Sequence, residues 1–386
     1  MESKVSKQYD CIIIGGGVIG AFLLRELSKY HLKPLLLEKE SQLAQHATTH
    51  NSALVHPAIM VEPEKEPLKA ALAEKGNRYY EQVKQELNIP MRYTGALLLA
   101  KNDAELNYLH QKLDAARRRG LQDEVALLEH DELHKREANL NPGIVAAIDM
   151  PTTKTSSTMA VAGKITANAM AHGGEIHKGK EVTRIRPQNG GKHFELHTSD
   201  SEIYRTTLVI NAAGTFADRV AAMVEGRPPY QIIPRRGEYM VLGREAADFM
   251  QHTLFSLPTK KGKGVLVIPQ PDGTIRLGPT STPQVSPDDI PVTEDGLSQI
   301  RADIAEMAIN VPYDKVIGTY AGVRASSSHG DFYLKNSAEY PQFIHVAGID
   351  SPGVTSAPAI AEYVVNELIQ PVFPISLKEH FDVSMV

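Results

Sequence analysis

The hydrophobic pattern near the N-terminus predicts a strand, a helix and a second strand. The run CIII at 11–14 is short and continuously apolar, as in a buried strand, and VIGAFLLRELSKY at 18–30 has apolar residues at helical spacing. A second apolar run, PLLLEK at 34–39, follows. This order of elements predicts an α/β domain.

Farther along the chain, helical patterns give way to strand patterns. Helices are predicted at 67–87, 103–119, 155–174 and 296–309, and in the stretch GVTSAPAIAEYVVNELI. From Tyr230 onward, short runs alternate with turn signals, and Asp272-Gly273 predicts a tight hairpin. We therefore expect a mixed or antiparallel sheet here, different in kind from the first domain.

Composition excludes several classes of function. The chain has 386 residues, 42% hydrophobic and 23% charged, which is typical of a globular protein with two domains. A net charge of −5 gives no sign of nucleic-acid binding.

We expect no integral membrane segment, because the longest apolar run, 11–24, is too short, and MESKVSKQYD has no apolar signal segment. With a single cysteine, Cys11, we expect neither a disulfide nor a metal site made of thiols. The low cysteine content favours the cytoplasm as the location of the protein. Peripheral membrane association and a homodimer stay open.

Three glycines lie where the first strand is expected to meet its helix. Gly15, Gly17 and Gly20 form G-x-G-x-x-G: the first permits a tight turn, the second lets a pyrophosphate approach, and the third lets helix and strand pack closely. Glu38 ends the second strand, where a carboxylate accepts hydrogen bonds from ribose hydroxyls. The sequence therefore predicts a dinucleotide at the positive end of the helix. Its further predicted contacts are Val18, Ile19 and Lys39.

The glycine motif leaves NAD and FAD open, and the segment after it favours FAD. The chain continues SQLAQHATTHNSALVHPAI without another strand–helix–strand unit. Flavoproteins of the amine-oxidase and hydroxy-acid-oxidase type have a polar segment here, rich in small hydrogen-bonding side chains. An ordinary polar loop is the alternative interpretation. The FAD contacts predicted here and later in the chain are Thr48, Thr49, Asn51, Ser52, Val182, Ala213 and Gly214.

Several sequence blocks together resemble one family. They are GGGVIG with Glu38, NSALVH, VINAAG, RRGEYMVL, KKGKGVLVIPQPDGTIRLGPTS, YAGVRASSSHGDFYL and GIDSPGVTSAPAIAEYV. Over essentially its whole length the chain resembles FAD-dependent oxidoreductases of the D-amino-acid oxidase superfamily, above all the short bacterial glycerol-3-phosphate oxidases. We predict a Rossmann-like FAD-binding domain and a substrate-binding cap domain with a mixed or antiparallel sheet. The predicted bounds are 1–88, 150–226 and 318–386 for the first and 89–149 and 227–317 for the second.

The resemblance implies roles for four residues. His56 matches the histidine that takes the substrate hydroxyl proton, and Arg324 matches the arginine that binds the substrate's anionic group. Ser351 matches a serine at the substrate end of the flavin, and Lys263 matches a lysine near the flavin that serves oxygen reactivity or anion binding. Further contacts to FAD are predicted for Gly322, Arg324, Pro352, Gly353, Val354 and Thr355.

Three of these roles have a plainer alternative. His56 could be a packed core histidine, Arg324 a salt-bridged arginine, and the lysines at 260–263 the solvated tip of a hairpin. The chain also departs from the family, which commonly has Asn-Ser-Gly before the histidine, whereas Ala53 replaces that glycine here.

The expected activity is FAD-dependent oxidation of a small anionic 2-hydroxy compound. Glycerol 3-phosphate would become dihydroxyacetone phosphate, with molecular oxygen or another acceptor receiving the electrons. Oxidation of L-2-hydroxyglutarate, or of an amine or amino acid on the same fold, stays open. Longer relatives carry a cysteine-rich iron–sulfur module that this sequence lacks, so we expect oxygen to be reduced directly to hydrogen peroxide.

Overall fold

Two large β-sheets and one small sheet form the framework of the protein in the computed structural model, which describes residues 7–258, 264–284, 286–288 and 290–386. The strands are β1 (Lys7–Ile14), β2 (Pro34–Leu37), β3 (Leu54–Val55), β4 (Met91–Arg92), β5 (Ala96–Ala100), β6 (Ala126–Glu129), β7 (Ala146–Asp149), β8 (Lys154–Ser156), β9 (Glu175–His177), β10 (Val182–Gln188), β11 (His193–Thr198), β12 (Ile203–Asn211), β13 (Ile232–Leu242), β14 (Thr253–Phe255), β15 (Leu266–Pro269), β16 (Ile275–Gly278), β17 (Thr282–Pro283), β18 (Val316–Ser327), β19 (Tyr333–Asn336) and β20 (Phe343–Ala347). The α-helices are α1 (Val18–Ser28), α2 (Pro67–Leu87), α3 (Asp103–Arg118), α4 (His130–Arg136), α5 (Thr158–Ala171), α6 (Ala217–Glu225), α7 (Glu294–Ala305) and α8 (Gly353–Tyr363), the last continuing as a π-helix over Val364–Ile369. Across the described ranges, no helix combines the length and apolarity that a membrane crossing needs.

The first large sheet has a parallel centre. β12, β1, β2 and β9 lie side by side and parallel, so the first strand of the chain lies inside the sheet. β10 and β11 extend the sheet antiparallel beyond the first half of β12, and β20 pairs parallel with the end of β12. The predicted N-terminal strand–helix–strand unit is confirmed by the parallel pairing of β1 with β2.

Strand β1 is apolar on both of its faces because both faces are covered. Cys11 and Ile13 face a core that includes α1, α5 and α8, while Ile12 and Ile14 face a second core with β10, β11 and α6. Parallel strands covered on both faces need such continuously apolar runs. Burial raises the pKa of the Cys11 thiol, which keeps it uncharged.

The second large sheet is antiparallel apart from the pair β5 and β14. One edge of β13 pairs with β18 along its whole length, and the other edge pairs with β17 and then β16. The hairpin predicted at Asp272-Gly273 joins β15 to β16, where the Gly273 amide donates to the Gln270 carbonyl. The two sheets together confirm the predicted α/β class with a mixed sheet, while the predicted domain bounds stay a prediction.

The helix predicted at 67–87 is confirmed, whereas the helix predicted at 155–174 is shorter. Lys154–Ser156 form β8, which pairs with both β3 and β4 in the small sheet. The helix therefore begins at Thr158, and the Ser157 hydroxyl caps its first turn. Pairing on both edges of β8 outweighs the local helical pattern.

Helices α2 and α8 approach each other closely at Gly76. A methyl group at this position would lie 2.1 Å from the Thr355 carbonyl oxygen. One turn later, the Tyr80 hydroxyl donates to the Val354 carbonyl at 2.9 Å. These contacts hold the beginning of α8 against α2.

Gly76→Ala is expected to destabilise the protein by about 1–3 kcal/mol, because the two helices must separate. The matched control is Gly163 in α5, where an added methyl group meets no atom within 4 Å. Gly163→Ala is expected to stabilise by about 0.5–1 kcal/mol, since alanine costs less conformational entropy in a helix. Denaturant unfolding measures both changes, and equal effects of the two substitutions would contradict the proposed close packing.

Candidate functional site

A cavity of about 1760 Å³ lies between the two large sheets. Its lining includes the β1–α1 turn, the end of β2, the beginning of α8 and residues of β13 and β18. Pockets that hold drug-sized ligands measure about 300–1,000 Å³. The cavity therefore has room for a dinucleotide and a small substrate together.

Glycines shape the β1–α1 turn at this cavity. Gly15 has a φ of 111°, and a methyl group there would lie 2.5 Å from the Ala212 carbonyl oxygen. At Gly20 a methyl group would lie 2.0 Å from the Gly15 carbonyl oxygen, so α1 packs directly on the end of β1. Gly17 immediately precedes α1 and lines the cavity. The turn thus presents bare backbone, as the approach of a pyrophosphate requires.

The beginning of α1 and Glu38 supply charge next to this turn. The first turn of α1 has no acidic residue, so nothing within it offsets the positive end of the helix dipole. Glu38 is buried and accepts hydrogen bonds from the Gly16 and Glu40 amides at 2.6 and 2.8 Å. Its oxygens keep further lone pairs for ribose hydroxyls. A phosphate at the helix and a ribose at Glu38 fit this arrangement.

The polar segment 46–52 connects this turn to the second sheet. The Thr48 hydroxyl accepts a hydrogen bond from the Val18 amide at 2.9 Å, next to the start of α1. The Asn51 carbonyl accepts one from the Tyr320 hydroxyl at 2.8 Å, on β18. The segment is therefore anchored on both sides of the cavity.

Two backbone features let the segment lie where it does. Gly322 on β18 faces it, and a methyl group there would lie 1.8 Å from the His50 carbonyl oxygen. Ala53, which follows the segment, has a φ of 55°, in the left-handed region that favours glycine. The family that the sequence resembles commonly has glycine at this position, and the positive φ of the backbone here explains that preference.

His56 directly follows β3 and lines the cavity. Its amide donates to the Thr355 hydroxyl at 2.9 Å, and its carbonyl accepts from the Asn77 side chain at 2.7 Å. The ring packs against Phe255 with 5.9 Å between centroids, and its Nε2 atom lies 3.4 Å from the Ser351 hydroxyl. Only 8% of the residue is exposed, so His56 is both packed and adjacent to the cavity.

An ion pair between a buried lysine and a partly exposed aspartate holds the turn that contains Ser351. The Asp350 carboxylate accepts from the Ser326 hydroxyl at 2.8 Å and pairs with the Lys69 ammonium at 2.9 Å. The Lys69 side chain is 3% exposed and also pairs with Glu66. Burial lowers the pKa of Lys69, but its two carboxylate partners more than offset this, so the pKa is raised and the ammonium stays charged. The pair ties α2 to the beginning of α8.

Arg324 lines the same cavity from β18. Its guanidinium donates to the Thr280 carbonyl at 3.1 Å and to the Ser281 hydroxyl at 3.5 Å. Burial raises the pKa of the nearby Tyr239 phenol, and the positive charge of Arg324 partly offsets that rise. The arginine therefore brings positive charge to the cavity while bonding neutral oxygens.

Most of the residues predicted as ligands line this cavity. They are Gly15, Gly17, Val18, Ile19, Glu38, Lys39, Thr48, Asn51, Ser52, His56, Val182, Ala213, Gly214, Gly322, Arg324, Ser351, Pro352, Gly353 and Val354. Gly20 is packed beneath the turn, and the hydroxyls of Thr49 and Thr355 bind backbone groups instead. Lys263 lies outside the described residues. Lining the cavity does not assign a role, so the individual roles stay predictions.

Three residues that line the cavity were not predicted from the sequence: Lys69, Ser281 and Arg235. A lysine on an amphipathic helix is ordinarily solvated, so no sequence signal marked Lys69. For Arg235 the sequence did contain a signal, namely its position in a predicted strand, because side chains two residues apart share one face of a strand. Arg235 therefore shares a face with Gly237, whose partner on β18 is Gly322.

Comparison with known proteins indicates one family. Residues 10–367 match the family described as FAD dependent oxidoreductase. The chain is 32% identical over 375 residues to a glycerol 3-phosphate dehydrogenase of Caloramator mitchellensis, covering 97% of this chain and 76% of that protein. It is 28% identical over 370 residues to a glycerol 3-phosphate oxidase of Mycoplasma pneumoniae, covering 93% and 94%.

A solved structure has the same fold. The dithionite-reduced, FAD-bound L-α-glycerophosphate oxidase of Mycoplasma pneumoniae matches with a TM-score of 0.90, at 27% identity and over 98% of both chains. The prediction of FAD as the cofactor is thereby confirmed. The glycine turn, the α1 N-terminus and Glu38 have the shape and donor set that the pyrophosphate and ribose of FAD need.

Gly322→Ala is expected to weaken FAD retention at least about tenfold, because the new methyl group must displace the segment 46–52. Gly318→Ala on the same strand is the matched control, since a methyl group there meets no atom within 4 Å. The ratio of flavin to protein absorbance after dialysis measures the effect. Full FAD content in both variants would show that the segment does not govern cofactor binding.

Proposed function

The chain belongs to the family of FAD-dependent oxidoreductases, and from that premise we propose that it oxidises sn-glycerol 3-phosphate to dihydroxyacetone phosphate. One observation carries the proposal: the dinucleotide-type turn, His56 and Arg324 line a single cavity. The match to a glycerophosphate oxidase fold over 98% of the chain supports the choice of substrate.

Oxidation of a secondary alcohol removes a hydride from carbon and a proton from oxygen. FAD, when bound, supplies the acceptor for the hydride and so for both electrons. The protein must then supply an acceptor for the proton and a group that orients the anion.

His56 is our candidate for the proton acceptor, at Nε2. A neutral imidazole has one ring nitrogen without a proton, and this nitrogen can accept the proton of the substrate hydroxyl. The backbone contacts with Thr355 and Asn77 fix the position of the residue, which supports a base that must act at a defined point. The Ser351 hydroxyl, 3.4 Å from Nε2, is positioned to orient the ring or the substrate hydroxyl.

Arg324 is our candidate for holding the phosphate. A guanidinium donates two parallel hydrogen bonds to an oxyanion, which a lysine cannot do. The neutral partners Thr280 and Ser281 support this assignment, because they leave the positive charge of Arg324 available to a ligand. Lys263 keeps its predicted role near the flavin as an anion-binding or oxygen-activating group.

We propose molecular oxygen as the final acceptor, reduced to hydrogen peroxide, and the cytoplasm as the location. A relative named glycerol 3-phosphate oxidase, aligned over 94% of its own length, supports the choice of oxygen. A single, buried cysteine supports a reducing compartment.

The direct test is anaerobic reduction of the enzyme-bound flavin by separate substrates, followed by admission of oxygen. Glycerol 3-phosphate is expected to bleach the flavin, and oxygen is expected to restore the colour with formation of hydrogen peroxide. The substrate is wrong if glycerol 3-phosphate leaves the flavin oxidised while L-2-hydroxyglutarate or an amino acid bleaches it. The acceptor is wrong if an artificial dye restores the colour and oxygen does not.

Replacing His56 is expected to slow flavin reduction by about 10²–10⁴-fold, with little effect on reoxidation, because only the first step needs the proton acceptor. Stopped-flow absorbance separates the two steps. His56→Gln fills most of the space of the ring and complements His56→Ala, and His110→Ala on an exposed face of α3 is the matched control. Reduction of both His56 variants at the wild-type rate would make His56 a packed core residue only.

A further inference from the structure

Two arginines lie side by side on the cavity face of the second sheet. Arg235 on β13 is directly opposite Arg324 on β18 in the antiparallel pair. Side chains directly opposite each other share one face, with Cβ atoms about 4.5–5.5 Å apart. Both arginines line the cavity, so two guanidinium groups reach it from neighbouring strands.

The two guanidinium groups converge on one serine. The Arg235 Nε and Nη2 atoms donate to the Ser281 hydroxyl oxygen at 3.1 and 3.0 Å, and Nη2 also contacts the Ser281 carbonyl at 3.2 Å. Arg324 reaches the same hydroxyl with its Nη1 atom at 3.5 Å. One serine hydroxyl is thus in contact with both guanidinium groups.

Among the described residues, no carboxylate forms an ion pair with Arg235 or Arg324. Their neighbour Arg236 differs, because its Nε lies 2.8 Å from a carboxylate oxygen of the buried Glu238. Like charges directly opposite across two strands destabilise a sheet. The pair therefore has a cost that a bound anion would offset.

We propose that Arg235 is a specificity-determining residue that acts with Arg324 to select a ligand carrying two negative charges on one oxyanion group. The assignment rests on the proposed function, in which the substrate is a phosphate monoester. One guanidinium balances one negative charge, and the second arginine balances the other. The Ser281 hydroxyl, already held by Arg235, can donate its own proton to a third oxygen of the phosphate.

This arrangement distinguishes a phosphate monoester from a monocarboxylate. A carboxylate carries one charge and two oxygens, which Arg324 alone can engage through its planar fork. Arg235 would therefore add little to the binding of a carboxylate, whereas it would add charge-assisted hydrogen bonds to the binding of a phosphate. The loss of Arg235 should therefore affect the two classes of anion unequally.

The test is calorimetric titration of the FAD-loaded protein with inorganic phosphate, at a pH where the dianion predominates, and with acetate as the monoanion. Arg235→Gln is expected to raise the Kd for phosphate about 10–100-fold, as for the loss of a hydrogen bond to a charged group, and the Kd for acetate less than about threefold. Arg118→Gln, an exposed arginine at the end of α3, is the matched control for net charge and should change neither value. Equal weakening of phosphate and acetate, or no weakening of phosphate, would overturn the proposal.

Arg235→Lys provides a second variant that keeps the positive charge. It is expected to bind phosphate more tightly than Arg235→Gln and less tightly than the wild type, and a value equal to that of Arg235→Gln would contradict a role for the charge. Because these titrations measure binding rather than turnover, they are independent of flavin reduction. Failure of glycerol 3-phosphate to bleach the flavin would sink the proposed substrate, whereas an unchanged phosphate Kd would sink the role of Arg235.

Discussion

The site depends on the contacts that the segment 46–52 makes with both large sheets at once. On one side, the Thr48 hydroxyl of the segment accepts a hydrogen bond from the Val18 amide at the beginning of α1. On the other side, Gly322 has no side chain, so the backbone of the segment can lie directly on β18. His56 lies four residues after the segment, so one stretch of chain sets the positions of the cofactor turn, the second large sheet and the candidate base relative to one another.

Several charged residues in and around the cavity differ in whether their partners are charged or neutral. Lys69 with Asp350, and Arg236 with Glu238, are ion pairs formed within the protein. Breaking one member of a buried pair leaves an uncompensated charge and is strongly destabilising, so these residues act mainly as parts of the framework. The two arginines that face each other across β13 and β18 have neutral partners among the described residues, which leaves their charge to a ligand.

Patterns that act over a short stretch of chain were predicted well. Gly15 and Gly20 obey a steric requirement inside one strand–turn–helix unit, and the helix at 67–87 and the hairpin at Asp272-Gly273 also depend on neighbouring residues. The helix predicted at 155–174 was too long because its first residues pair with strands distant in sequence. Local periodicity contains no information about such partners.

The amino-acid order alone therefore determined the α/β class, the cofactor turn and the candidate base and anion-binding arginine, since each has a local motif or a family resemblance. The burial of Lys69, the support of His56 by Thr355 and the pairing of Arg235 with Arg324 arise from contacts between distant parts of the chain. For the two arginines, strand register decides the contact, because a shift by one residue moves every side chain to the opposite face of the sheet.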